Sequence, residues 1–151
     1  MKVPILRLND VLLTSIQIDL TDQEALEFQA DVLENVTMHG ARGVVIDITA
    51  MEVVDSFMAR VLNETASMAR FLGAEAVLCG MQPAVALTLI EMGREVVGVK
   101  TALNLDQALA QLEALNRERE ELVDADEGEF DDDGLFSEQE KPAQNVFAEV
   151  A

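Results

Sequence analysis

Gly43-Val44-Val45-Ile46-Asp47-Ile48-Thr49 is the stretch on which the fold turns. From Val44 to Ile48 the side chains are β-branched and almost continuously apolar, broken by Asp47 alone. That is the pattern of a strand covered on both faces, and it belongs at the centre of a sheet. Helical spacing flanks it on both sides. Upstream, Thr21-Asp22-Gln23-Glu24 fits a capping box, the helix after it carries Ala25, Phe28, Val32 and Val36 on one face, and Gly40 can close it in the left-handed conformation. Downstream, a helix from about Ser56 to Leu72 holds Met58, Val61, Leu62, Thr65, Ala69 and Leu72 in register and ends at Gly73.

Working outward, Ile5 to Leu8 and Val11 to Gln17 are short apolar segments joined by the turn-prone pair Asn9-Asp10, which predicts an antiparallel hairpin. Ala76 to Cys79 predicts the next strand. Gly80 turns the chain, and Gln82-Pro83 opens a third helix with Ala86, Leu89 and Ile90 on its core face, stopping at Gly93. Val96, Val97 and Val99 predict a short last strand. Asn104 caps a final helix bearing Leu105, Ala108, Leu109, Leu112 and Leu115, and Leu122 carries the spacing a turn or two further. The order ββαβαβαβα is an α/β fold with a mixed sheet of about five strands and about four helices, which cover both faces or only one.

The 151 residues suffice for one domain, and with six Phe, no Trp and no Tyr its core must be filled by aliphatic side chains. The formal net charge of −19 argues against binding nucleic acid or an anionic membrane, both of which require basic residues against phosphate. It is unevenly distributed: residues 1–116 hold 16 acidic and 7 basic side chains, residues 117–151 hold 13 and 3. Seven of the ten residues from Asp124 to Asp133 are acidic, a density that opposes compaction. The expected organisation is a domain over 1–116 and an acidic, disordered tail over 117–151, in which Leu135-Phe136 and Val146-Phe147 are apolar pairs suited to docking. Met1 to Asp10 lacks the uninterrupted apolar centre of a signal peptide, so a cytoplasmic location is expected.

Chemistry-bearing residues are few. Cys79 and His39 are the single cysteine and histidine, which excludes an internal disulfide and a His/Cys zinc site; no metal or cofactor is expected. Gly40-Ala41-Arg42-Gly43 is too short for a phosphate loop and lacks its Lys-Ser/Thr ending. Asp47 and Lys100, each read as following a strand, partly resemble the phosphoacceptor and lysine of a receiver domain. The first strand, however, lacks the acidic pair that would hold magnesium, and Asp47 is otherwise a solvated carboxylate at a loop edge. At Val53-Val54-Asp55-Ser56-Phe57-Met58 a loop becomes a helix. Asp55 and Ser56 are both good N-caps, so one of them caps; alternatively the Ser56 hydroxyl is presented for phosphorylation at the positive end of the helix.

These residues resemble the STAS domains of bacterial anti-sigma factor antagonists, most nearly the small single-domain scaffold subunits of the stressosome (RsbS-type). The resemblance covers roughly residues 2–116 and rests on four stretches: Val3-Pro4-Ile5-Leu6 with Leu12 to Gln17, then Gly43 to Thr49, then Asp55-Ser56-Phe57, and finally Gly80 to Glu91. It implies the STAS fold and a non-enzymatic role in a large cytoplasmic complex built with sensor paralogues that have a C-terminal STAS domain (RsbR-type). That complex holds a serine/threonine switch kinase (RsbT-type), which phosphorylates the scaffold and leaves, and a serine phosphatase resets it. By position Ser56 is the implied phosphoacceptor, with Thr49, Met51, Asp55 and Phe57 as partner-contact candidates. The alternative is a stand-alone STAS antagonist that binds an anti-sigma kinase. The tail has no counterpart in these subunits.

Overall fold

The computed structural model describes residues 2–91 and 99–133, with side chains through residue 125. The chain opens with a hairpin of β1 (Ile5–Leu8) and β2 (Val11–Ser15), antiparallel with Leu8 opposite Val11. Asn9 makes the turn at φ 58°, a left-handed conformation that asparagine tolerates.

Helix α1 (Asp22–His39) starts at the capping box: Thr21 Oγ1 accepts from the Glu24 amide at 3.1 Å, and the Glu24 carboxylate accepts from the Thr21 amide at 3.0 Å. It buries Ala25, Phe28, Val32 and Val36 and ends on left-handed Gly40. β3 (Gly43–Asp47) then lies parallel between β2 and β4 (Glu75–Cys79), with α2 (Ser56–Phe71) connecting β3 to β4. Helix α3 (Pro83–Glu91) follows β4, β5 (Lys100–Ala102) closes the sheet, and α4 (Leu105–Asp133) follows.

Strand order in the sheet is chain order, β1-β2-β3-β4-β5, so β3 is the centre. Successive parallel strands that each add on the same side, joined by crossovers of the usual hand, bring every crossover helix to one face. The two cores agree. Val44, Ile46, Ile48 and Leu78 pack with α1, α2 and α3, whereas Val45, Val77 and Cys79 on the opposite face pack with Ala108 and Leu112 of α4. Helix α4 approaches so closely that a Cβ on Gly43 would lie 2.8 Å from a Leu112 methyl.

Three sequence expectations need correction. On α3 the buried residues are Val85 and Leu89, while Ile90 is 75% exposed. Ala84 to Ile90 is apolar on nearly every side, so periodicity leaves its rotation undetermined. The last strand is Lys100–Ala102, paired Val77 to Lys100 and Cys79 to Ala102, and Val99 precedes it; Val96, Val97 and the stop at Gly93 lie outside the described residues. Helix α4 does not end within a turn or two of Arg117 but continues to Asp133. Leu, Ala, Gln, Glu and Arg dominate Leu105 to Glu121 and are strong helix formers whose backbone bonds need no core. By its contacts the chain divides into two units, Met1–Leu112 and Glu113–Ala151. Among the described residues no helix is long and apolar enough to cross a membrane.

Candidate functional site

The polar residues of interest gather where β3 and β4 end. Asp47 is the last residue of β3 and is half-buried. Its Oδ1 accepts from the Thr49 amide at 2.9 Å and from the Thr49 hydroxyl at 2.5 Å. Asp47 is therefore not simply a solvated carboxylate: it folds the first turn of the loop back on the strand. The side-chain amide of Gln82, just ahead of α3, donates to the Thr49 carbonyl at 2.8 Å. Gly80 completes the junction at φ 76°, where a Cβ would sit 1.9 Å from Thr49 Oγ1. The thiol of Cys79 lies beneath; burial pushes its pKa up to about 11, and the Asp47 charge adds to the shift.

From this anchor the loop alternates. Met51 and Val54 are buried, Val53 is 74% exposed, and the Met51 amide donates to the Ile48 carbonyl at 3.0 Å. Asp55 caps α2, accepting from the Met58 amide at 2.8 Å on Oδ1, and its carbonyl takes the first intrahelical bond from Ala59. Of the two candidate caps, then, Asp55 performs the task, and Ser56 is the first helical residue, exposed to solvent. Phe57 is half-buried against the core, with the Arg60 guanidinium 5.3 Å from its ring centroid. Asp19, Leu20, Met51, Val53, Asp55 and Met58 line a shallow depression beside the helix start.

The structure thus brings Thr49, Met51, Asp55, Ser56 and Phe57 together at one end of the sheet. Thr49, Asp55 and Ser56 are exposed, Phe57 partly so, and Met51 forms the floor. Gln82 and Gly80, which the sequence marked only as a helix start and a turn, join them, as do Asp19 and Leu20, which it did not single out. Lys100 does not join: it opens β5, two register positions from Ala102, which shares a row with Cys79 and Asp47. A receiver-like Asp47–Lys100 pairing at the carboxyl ends therefore lacks its geometry. His39 sits at the end of α1, where Arg7 approaches its Nδ1 at 3.4 Å. Among the described residues no cluster of three His, Cys, Asp or Glu could hold a metal ion.

A mixed five-stranded sheet opened by a hairpin, with three helices on one face and an exposed serine opening the helix after the central strand, defines a class. Residues 2–108 match the STAS domain, and the chain belongs to that family. Within it the chain is RsbS-like. A serine-to-glutamate variant of RsbS from Moorella thermoacetica is 45% identical, with a TM-score of 0.69 over 78% of this chain and 99% of the other. A chain from the molecular architecture of the stressosome, a signal integration and transduction hub, is 46% identical, with a TM-score of 0.67 over 76% and 99%. The RsbT co-antagonist protein RsbRA of Bacillus subtilis is 29% identical over 87 residues, which are 58% of this chain and 32% of that protein. The chain thus spans about a third of that relative's length.

Proposed function

We propose that this chain is a non-enzymatic, phospho-regulated scaffold of a cytoplasmic stress-sensing assembly. In this reading it assembles with itself and with RsbR-type sensor paralogues, retains a serine/threonine switch kinase, and releases it when Ser56 is phosphorylated. One observation carries the reading: Ser56 is exposed at the first position of α2 while Asp55 supplies the cap, so the bond that caps the helix does not use the Ser56 hydroxyl. In the transfer, a bond forms between Ser56 Oγ and the γ-phosphorus of ATP as the bond to ADP breaks, and the hydroxyl proton leaves to a base of the kinase. The phosphate adds about −1.5 to −2 charges next to Asp55, Glu52 and Asp19, making this surface strongly repulsive toward an acidic partner, while the amino end of α2 tolerates it. A serine phosphatase restores the starting state by hydrolysis. Thr49, Asp55 and Phe57 are the contact candidates around the serine, and Met51 supports them from below.

The test is incubation with the cognate kinase and ATP followed by mapping of the phosphate by mass spectrometry. Modification of Ser56 is expected; modification elsewhere with Ser56 untouched overturns the assignment. Light scattering of the chain mixed with sensor paralogues separates a scaffold, which forms a large particle, from a stand-alone antagonist, which does not.

A further inference from the structure

Ser56 and Arg60 are four residues apart on α2, the spacing that places two side chains side by side on one helix face. Both are exposed. Arg60 lies over the ring of Phe57, the residue after the serine, at 5.3 Å from the centroid. At an exposed position such a cation–π contact is worth little. Between Ser56 and Asn63, Arg60 is the one basic residue.

Resting on the reading of Ser56 as phosphoacceptor, we propose that Arg60 is the intramolecular partner of phosphorylated Ser56 and that it exchanges the Phe57 ring for the phosphate. A phosphoserine offers three strong acceptor oxygens, and a guanidinium meets them through two parallel, charge-assisted hydrogen bonds. An anion four residues ahead of a cation is also the favourable orientation with respect to the helix dipole. The phosphate is thus the stronger attractor for the guanidinium, and the exchange uncovers one face of a ring that is only half-buried. Phosphorylation then does more than add repulsion: it gives the partner surface a newly exposed aromatic face one residue from the phosphate.

The test installs phosphoserine at position 56 during translation, so that no kinase is needed and a failure of the kinase to modify Ser56 bears on the proposed function alone. Phosphorus NMR then follows the second ionisation of the phosphate in the full chain and in its Arg60→Gln variant. Asp19, Glu52 and Asp55 oppose that ionisation equally in both chains, so the difference isolates Arg60, which favours the dianion. Arg60→Gln is expected to raise the phosphate pKa by about half a unit and Arg60→Lys by less. A pKa that does not depend on residue 60 overturns the pairing. Because the chain has no tryptophan, Phe57→Trp supplies a single reporter of the ring's exposure. Acrylamide quenching of that indole is expected to rise about two-fold on phosphorylation, and Arg60→Gln is expected to erase the difference. Quenching that phosphorylation leaves unchanged overturns the exchange.

Discussion

The Gln82 side-chain amide holds the Thr49 carbonyl at 2.8 Å, tying the start of α3 to the loop that delivers α2. Gln82 has a second task in its backbone, since its carbonyl accepts from the Val85 and Ala86 amides at 3.0 Å and so begins α3. One residue thus anchors both a helix and the loop leading to Ser56. On the far side of Thr49, Asp47 takes the amide and hydroxyl, leaving the first residues of the loop little freedom.

Replacing Gln82 by Glu keeps its size and removes the donor. The expected cost is about 1 kcal/mol in urea unfolding, the usual worth of one partly exposed hydrogen bond, with faster amide hydrogen exchange over residues 49–55. Asp47→Ala should loosen the same segment, and Asp47→Asn, which keeps an acceptor, should largely restore it. Exchange that is identical in all of these chains would show that the loop is held by its buried residues Met51 and Val54 instead.

At Gly80 two costs coincide. Alanine there must adopt φ 76° and displace Thr49 Oγ1, breaking its bond to Asp47, so Gly80→Ala should lose about 2 to 3 kcal/mol by denaturant midpoint. Gly40, at φ 59° with nothing near its missing Cβ, carries the conformational cost alone. Gly40→Ala should therefore lose only about 1 kcal/mol.

The cap and the proposed modification site fall on neighbouring residues. Asp55→Ala should cost about 1 kcal/mol by removing the acceptor for the Met58 amide, and Asp55→Asn only a few tenths. Ser56→Ala should leave thermal stability within about 0.5 kcal/mol while abolishing phosphorylation. A large loss of stability in Ser56→Ala would mean that the hydroxyl is structural.

For Cys79 the sign follows from a raised pKa. The folded thiol holds its proton up to about 11, above its ordinary value, so between those limits the unfolded chain binds fewer protons than the folded one. The contribution is complete below the unfolded pKa and is lost as pH rises from about 9 toward 11. Stability should fall across that window in the native chain and less in Cys79→Ala, measured by urea titration at each pH. Alkylation at pH 8 should be slow until the protein unfolds, because the thiol is buried and protonated.

What the sequence made legible was local. The capping box at Thr21 and Glu24, the β-branched run at Val44 to Ile48, Pro83 at the first position of α3 and the cap ahead of α2 are each encoded within a few neighbouring residues, and each stands as read. The resemblance of Gly43 to Thr49 and of Asp55-Ser56-Phe57 to STAS domains then led to the family. The bond between Gln82 and Thr49 joins residues 33 apart, and the depression takes Asp19 and Leu20 from the linker between β2 and α1. No spacing rule encodes such encounters, which exist only once the sheet has aligned its carboxyl ends. Ile90 was misplaced because a helix apolar all round does not announce its buried side. The valines before Lys100 outweighed Lys-Thr-Ala as a strand signal, although it is Lys100 to Ala102 that pair with β4.

Because strand order equals chain order, each strand in turn joins an edge already built from the residues before it. During synthesis the hairpin can form first, β3 can add to it once α1 has left the ribosome, and β4 can follow after α2, without waiting for distant sequence. The loop leading to Ser56 emerges before β4 and Gln82, and until they arrive it has neither its neighbouring strand nor its anchor. A kinase that recognises the anchored loop would thus meet it only on chains that have been made at least as far as α3.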